Sequence, residues 1–192
     1  MKWKLAIPAL LLVLPLISAT PAIALDWSLG AELGGSIFMP DEENAEDVTT
    51  FSWPTVGPVF SQIGGLRLSF TGSRPTHEIW VGTSLFSMTS GGHTTSNVMV
   101  TGNYQYNFPN QGRLTPYVTA GVGFVNAGRD DNATGAVYGA GAGLSRRVSD
   151  GAGRFRAEVR YDQQTEGKSH GFVSVPKGGS FGLKLGFDLW IR

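Results

Sequence analysis

Two segments of this sequence carry the residue types that nucleophilic catalysis requires. TSGGHTTS contains His93, and EGKSHG contains the adjacent Ser169 and His170. A serine hydroxyl becomes a nucleophile when a base such as histidine lies within hydrogen-bond reach and takes its proton. Both segments are polar, contain glycine and are typical of loops. We therefore interpret His93 and His170 as solvated loop histidines, and we predict no catalytic residue and no enzymatic activity.

The segment MPDEENAEDVTT is the second candidate for chemistry, because it carries five carboxylates from Asp41 to Asp47 and no basic residue. Carboxylate oxygens are the ligands that Ca²⁺ prefers, but their spacing here does not match the DxDxDG pattern of a calcium loop. We interpret the segment as a solvated loop, with weak cation capture as the alternative. We predict no metal site and no cofactor. Asn132-Ala133-Thr134 matches a glycosylation acceptor, which we interpret as coincidental.

The other charged residues recur at every second position of segments whose alternate residues are apolar. In RFRAEVRYD, for example, Phe155 and Val159 alternate with Arg156, Glu158 and Arg160. A β-strand points successive side chains to opposite faces, so this alternation puts the charges on one face and the apolar side chains on the other. The charged face comprises Glu32, Arg67, Arg154, Arg156, Glu158, Arg160, Asp162, Lys184 and Asp188.

Alternation with a period of two residues recurs in eight segments, whereas a helical period is not sustained anywhere beyond residue 24. The composition agrees, with 27 glycines, 11% aromatic residues and only 16% charged residues. The facing of the third segment is ambiguous, because Trp80 and Phe86 lie opposite Ile79 and Val81. We predict an all-β domain with strands at about 26–38, 60–71, 78–88, 98–108, 115–125, 137–148, 154–162 and 180–192.

Long and short connections alternate between these segments. The long ones are polar and cover 39–59, 89–97, 126–134 and 163–179, whereas TGSRPTH, NQGRL and SDGAG are short and rich in turn residues. A tilted strand of about ten residues is long enough to cross the hydrocarbon core of a bilayer. Outer-membrane barrels have short turns at one end and longer loops at the other. The pattern therefore predicts an eight-stranded antiparallel transmembrane β-barrel with external long loops.

The N-terminal segment MKWKLAIPALLLVLPLISATPAIA has the order of a secretory signal peptide: two lysines, an apolar core and small residues at its end. A single membrane-spanning anchor is the alternative, but Pro8 and Pro15 interrupt the apolar run. We expect cleavage after Ala24, so that residues 1–24 are a signal peptide and residues 25–192 form one barrel domain.

The composition of that domain excludes several classes of function. Without Lys2 and Lys4 the domain is slightly acidic, so nucleic acid is not an expected partner. The chain has no cysteine, which excludes disulfides, thiolate catalysis and zinc sites built on cysteine.

Several segments resemble the small opacity-protein and OmpA-type family of outer-membrane β-barrels. They are PYVTAGVGF, GAGAGLSRRVSD, RFRAEVRYD and the alternating C-terminal strand SFGLKLGFDLWIR, and the resemblance covers residues 25–192. It implies an eight-stranded antiparallel barrel in the outer membrane of a Gram-negative cell. The implied partners are outer-membrane lipid, lipopolysaccharide and the barrel assembly machinery, which in this family reads a last strand that usually ends in an aromatic residue. Here Ile191 and Arg192 follow Trp190. A monomer is expected, and no external ligand is identified.

The function implied by this resemblance is a structural or surface-interaction role with the loops presented to the exterior. A small-solute, porin-like channel is one alternative, and a lipid A-modifying enzyme is another. Lipid A deacylases carry a His-x-Ser pattern followed by Asn-Ala, whereas this chain has RYDQQ in the corresponding strand. The lumen of an eight-stranded barrel is just wide enough for side chains to fill, so we predict that the charged face forms a paired plug there. A narrow pore is the alternative, and a soluble lipocalin-like barrel would instead turn the apolar faces inward.

The barrel hypothesis makes predictions about the facing of individual residues. Arg67, Arg156, Glu158 and Lys184 should lie inside. Lipid contact is predicted for Val118, Val122, Phe155, Val159, Leu183 and Leu185. Two aromatic belts are predicted, one of Trp27, Phe70, Tyr106, Phe155 and Trp190 at the periplasmic side and one of Phe38, Phe124, Tyr138 and Phe181 at the external side.

Overall fold

A computed structural model describes most of the chain beyond residue 25. The described residues are 26–41, 48–52, 65–72, 75–90, 93–109, 112–128, 132–148, 151–168, 174–175 and 177–191. The predicted signal peptide, residues 42–47 of the acidic segment, and the pair Ser169 and His170 lie outside them. In the described part of the chain, no helix is long and apolar enough to cross a membrane.

The described residues form eleven β-strands and pair almost entirely with their neighbours in sequence. Each contact between consecutive strands of the barrel is antiparallel. The strands are β1 (Asp26–Pro40), β2 (Val48–Ser52), β3 (Gly65–Thr71), β4 (His77–Ser90), β5 (His93–Asn107), β6 (Thr115–Gly128), β7 (Asn132–Arg147), β8 (Gly153–Gln164), β9 (Gly167–Lys168), β10 (Ser174–Val175) and β11 (Gly178–Ile191).

The sheet closes on itself through its first and last long strands. β11 pairs with β8 on one side and with β1 on the other, in a register that runs from Trp27 opposite Ile191 to Pro40 opposite Gly178. Closure leaves neither strand with an unpaired edge in lipid, where each unsatisfied backbone group costs several kcal/mol. The predicted fold, an all-β, eight-stranded antiparallel barrel, is confirmed, and the C-terminal stretch is the strand that closes it.

Two short strands, β2 and β3, pair with β1, where the sequence predicts a single strand at about 60–71. β3 pairs with the first half of β1, from Asp26 to Glu32, and β2 pairs with the second half, from Gly34 to Phe38, on the same edge. The prediction that 39–59 is entirely loop was therefore wrong. Thr49, Thr50 and Ser52 are polar, so this part of the wall has no apolar alternation that would have revealed it.

Two other predicted loops are largely strand. β4 and β5 pair as far as Ser90 opposite His93, and β6 and β7 pair as far as Gly128 opposite Asn132. The polar residues of segments 89–97 and 126–134 predict loops. Ladder hydrogen bonds join backbone groups, so a strand can continue with polar side chains once it has left the apolar layer.

The connection between β8 and β11 also differs from the predicted solvated loop at 163–179. β9 and β10 form a small antiparallel pair within it. Val175 of β10 is fully buried and packs in an apolar cluster, which we name the apolar cap. The apolar cap comprises Met99, Val125, Ala133, Val137 and Val175. It lies inside the barrel at the end where the long connections are.

The outer wall of the barrel is apolar, as predicted. On β7 the outward-facing run extends from Ala136 to Leu144 and is bounded by Thr134 and Arg146, which matches the roughly nine to eleven residues that a tilted strand needs to cross a bilayer. The six residues predicted to contact lipid all face outward, with exposed fractions of 42 to 68%. These are Val118, Val122, Phe155, Val159, Leu183 and Leu185.

Two members of the predicted aromatic belts face the wrong way. Phe38 is only 2% exposed and lies opposite Ser180, another inward-facing residue. Trp190 pairs with the buried Ser28, and the Arg154 guanidinium lies 5.4 Å from its ring centroid, so Trp190 also faces inward. Both residues occupy inward positions of the alternation in their strands, and parity overrides the tendency of aromatic side chains to sit at the membrane interface.

Candidate functional site: the charged lumen

Ten charged side chains are buried inside the barrel in the described part of the chain. All nine residues of the predicted charged face are among them, and Glu78 is the tenth. Five are acidic and five are basic, so the formal charge of the set is balanced. The set comprises Glu32, Glu78, Glu158, Asp162, Asp188, Arg67, Arg154, Arg156, Arg160 and Lys184, and we name it the lumenal network.

Asp188 of β11 is held by two arginines of β8. Arg154 donates from Nε and Nη2 to Asp188 Oδ2, at 3.0 and 2.8 Å. Arg156 donates from Nε to Oδ2 and from Nη2 to Oδ1, both at 2.8 Å. Arg154 and Arg156 are two residues apart on β8, so the period of the strand aims both guanidinium groups at the same carboxylate.

Glu78 of β4 joins this group to the opposite wall. Arg154 donates from Nη1 and Nη2 to the two oxygens of Glu78, both at 2.7 Å, which is the bidentate geometry of a strong charge-assisted pair. Arg67 of β3 donates from Nη2 to Glu78 Oε1, also at 2.7 Å. Glu78 is not part of the predicted charged face, because the facing of its strand is ambiguous in the sequence. Ile79 and Val81 are apolar and face outward on either side of Trp80, and they were the sequence signal that Glu78 and Trp80 face inward.

Glu32 of β1 is the third point at which several cations meet. Arg156 donates from Nη1 to Glu32 Oε1 at 2.7 Å. Arg67 Nη1 lies 3.6 Å from the same oxygen, and Lys184 Nζ lies 3.5 Å from Oε2. Glu32, Glu78 and Asp188 therefore share four of the five lumenal cations. The pairs Arg154–Glu78 and Arg156–Glu32 join strands that are not neighbours in the sheet, so they cross the lumen.

Trp80 lies between the two ends of the network. The Arg67 guanidinium stacks 4.2 Å from its ring centroid, while Lys184 Nζ and the Arg160 guanidinium lie at 5.5 and 5.9 Å. Such distances are those of cation–π contacts. Trp80 is 1% exposed and is the largest of the fully buried side chains described, so it fills the middle of the lumen.

The fifth cation, Arg160, is held nearer the apolar cap. Its Nε donates to the two oxygens of Asp162 at 2.7 and 2.9 Å, and its Nη2 donates to Asn103 Oδ1 at 3.0 Å. Glu158 lies 3.7 Å from Arg160 Nη1, and neither of its oxygens has a hydrogen-bond partner among the described residues. The buried hydroxyl of Tyr117 is likewise without one.

The glycines of GAGAG on β7 make room for this packing. Gly139, Gly141 and Gly143 face the lumen, where a Cβ at Gly139 would collide with the Asp162 carboxylate and a Cβ at Gly143 would collide with the Tyr117 ring. Glycine is therefore required at these inward positions, because side chains of the neighbouring strands β6 and β8 occupy the space that a Cβ would need. The sequence shows the alternation, but not which large side chains it accommodates.

Most of the other residues considered for chemistry lie outside the described atoms. His93 begins β5 opposite Ser90, and its side chain lies outside the described atoms, as do the whole of Ser169 and His170. His77 Nδ1 is 2.6 Å from the Tyr104 hydroxyl on the outer surface. No group of three His, Asp or Glu residues within the described ranges has the geometry to hold a metal ion.

Asp41, the one described carboxylate of the acidic segment, forms a surface ion pair. Lys177 Nζ lies 2.8 Å from Asp41 Oδ2, and both side chains are exposed. The hydrogen bond from Lys177 and the charge of Asp41 raise the pKa of Lys177 above its ordinary value. The contact ties the end of β1 to the start of β11.

Comparison with known proteins gives structural matches only. No family model and no curated protein sequence matches the chain. The crystal structure of Neisserial surface protein A superposes with a TM-score of 0.59 at 16% identity, covering 85% of this chain and 96% of that one. Ail, the attachment invasion locus protein of Yersinia pestis, superposes with a TM-score of 0.50 at 11% identity, covering 87% and 99%. Outer membrane protein H of P. aeruginosa gives 0.49 at 18% identity, covering 86% and 99%.

This chain has the fold of the small outer-membrane β-barrels. The match to Neisserial surface protein A extends over nearly all of that protein. The outer-membrane barrel described here also has the surface chemistry that the fold requires, with an apolar wall facing outward and charges facing inward. The resemblance expected from the sequence is confirmed at the level of fold.

Proposed function

We propose that this protein is a non-conducting outer-membrane barrel with a structural or surface-interaction role. The observation that carries the proposal is the filled lumen. Ten paired charges and Trp80 occupy its middle, and the apolar cap occupies the end nearer the long connections. A solute would have to displace buried ion pairs that are bonded to several strands at once, which is energetically costly.

The outer ends of the strands support the surface-interaction part of the proposal. β4 to β7 are 14 to 16 residues long, whereas about ten suffice to cross the hydrocarbon core. On β6 the outward apolar run stops at Phe124, and Asn126 then donates a hydrogen bond to Thr134 of β7 at 2.9 Å. The strands thus continue as a polar ribbon beyond the membrane layer, where a partner in solution would meet it.

Measurement of conductance tests the filled lumen directly. Purified, refolded protein is inserted into planar lipid bilayers, and a large general porin prepared in the same detergent serves as the positive control. We expect no discrete current steps from this protein over the voltage range in which the porin conducts. Reproducible single-channel steps from the intact chain would overturn the proposal and favour the small-solute channel.

A further inference from the structure

The short-turn end of the barrel carries a cavity whose lining is strongly basic. It has a volume of about 740 Å³ and is bordered by the turns between β3 and β4, β5 and β6, and β7 and β8. Four arginines contribute to the lining: Arg113, Arg146, Arg147 and Arg154. This volume lies within the range of small-molecule sites in proteins.

Arg154 is the only one of the four that has carboxylate partners in the described part of the chain. Its guanidinium is committed to Glu78 and Asp188 in the lumenal network. Arg113, Arg146 and Arg147 form no ion pair with any described carboxylate. Arg113 and Arg147 therefore give the cavity two positive charges that the described residues do not neutralise, and the outward-facing Arg146 adds a third at its border.

The register of the sheet brings two of these cations together. Arg147 of β7 lies directly opposite Arg154 of β8, at inward positions of both strands. Like charges at opposed positions of a strand pair are destabilising. Asp188 already accepts four hydrogen bonds from Arg154 and Arg156, so this nearby acid is committed elsewhere. An anion bound in the cavity beside Arg147 would offset this repulsion.

We propose that this basic cavity binds a phosphate-bearing anion. Guanidinium groups match tetrahedral oxyanions through paired N–H donors, and two of them without a carboxylate partner favour a ligand that carries phosphate charge. Arg146 faces outward just past the end of the apolar run on β7, at the depth of the lipid headgroups. The phosphate can therefore belong to an anionic phospholipid or to a small molecule in solution.

Two titrations of the full-length protein distinguish these sources. In a maltoside detergent that contains no phosphate, inorganic phosphate is added and the backbone amide resonances of residues 112–115 and 145–148 are followed by NMR. In nanodiscs of phosphatidylcholine with a minor share of phosphatidylglycerol, the lipid that remains with the barrel is identified by native mass spectrometry. Response to inorganic phosphate supports a soluble ligand, whereas selective retention of phosphatidylglycerol supports the lipid source.

Arg147→Gln and Arg113→Gln are the test variants, and Lys177→Gln is the matched control. Each removes one exposed positive charge, but Lys177 lies at the opposite end of the barrel. We expect roughly tenfold weaker binding for either arginine variant, the effect of losing one or two charge-assisted hydrogen bonds, and no change for Lys177→Gln. Two results would overturn the proposal: no binding by the wild type in either titration, or an equal loss in all three variants.

Arg113 lies in the turn between β5 and β6, whereas Arg147 is the last residue of β7, and both are exposed. A folding defect in one variant therefore leaves the other as an independent test. The inference does not depend on the proposed function, since a conducting barrel could carry the same cavity. Channel conductance would overturn the proposed function alone, and a lack of anion binding would overturn this inference alone.

Discussion

At the scale of single residues, the lumenal network explains how so many charges are buried in one small barrel. Moving an unpaired ion out of water costs several kcal/mol, and only good geometry with further hydrogen bonds recovers that cost. Glu78 meets this condition, because Arg67 and Arg154 donate three hydrogen bonds of 2.7 Å to its two oxygens. The network is therefore most vulnerable to the loss of one shared carboxylate.

Glu78→Gln should test this vulnerability. The substitution keeps the size of the side chain but leaves Arg67 and Arg154 with one negative charge fewer in a buried site. We expect the free energy of unfolding to fall by about 3–5 kcal/mol, the usual cost of breaking a buried ion pair. Urea unfolding in lipid vesicles, followed by tryptophan fluorescence, gives the value.

Asp41→Asn provides the control for that measurement. It removes one carboxylate from the pair with Lys177, but both side chains are exposed to water, which screens the interaction. Its unfolding curve should coincide with that of the wild type. If Glu78→Gln were no more destabilising than Asp41→Asn, the hydrogen bonds of Glu78 would not contribute to stability as argued.

At the scale of strands, the sequence predicts which side chains face inward and which face outward, but it does not predict how long the strands are. Period-two alternation identified the inward and outward sides of β1 and of β5 to β8, because only one side of each strand meets lipid. The ends of β4 and β6 were predicted too early and the starts of β5 and β7 too late, since polar side chains continue the ladder past the apolar layer. Sequence alone also gave no sign that Val175 turns back into the barrel, because burial of one residue in a short strand leaves no periodic pattern.

Two neighbouring positions of β11 separate the roles of its two faces. Leu185→Arg places a charge on the outer wall, where Leu185 is 46% exposed, and should cost about 2–4 kcal/mol near the middle of the bilayer. Lys184→Gln changes a lumenal residue whose ion pair within the described part of the chain is a long one, to Glu32 at 3.5 Å. It should be the milder variant. The fraction of protein that folds into vesicles as a compact, protease-resistant species compares them.

The comparison of these two variants also tests which face of β11 contacts lipid. Both variants change one residue of the same strand, so differences in strand length, register or closure cannot account for a difference between them. A larger folding defect for Lys184→Gln than for Leu185→Arg would mean that lipid contacts the charged face, contrary to the outward apolar wall seen in the structure.

At the scale of the whole molecule, the two ends of the barrel differ in chemistry. One end has the extended strands β4 to β7 and the apolar cap, whereas the other has the short turns and the basic cavity. This polarity agrees with the arrangement of outer-membrane barrels, in which the short turns lie on the periplasmic side. The assignment of the extended strands to the cell exterior is a prediction that labelling can check.

Thr134→Cys and Arg146→Cys form a matched pair for that experiment. Both positions face outward on β7 and are exposed, and they bound the apolar run at opposite ends. The chain has no cysteine of its own, so each variant carries a single reactive thiol. With a membrane-impermeant maleimide and intact cells, Thr134→Cys should be labelled and Arg146→Cys should not, because the reagent reaches only the outer surface. After the outer membrane is permeabilised both should react, which shows that each thiol is accessible. The opposite pattern in intact cells would mean that the short turns and the basic cavity face the exterior.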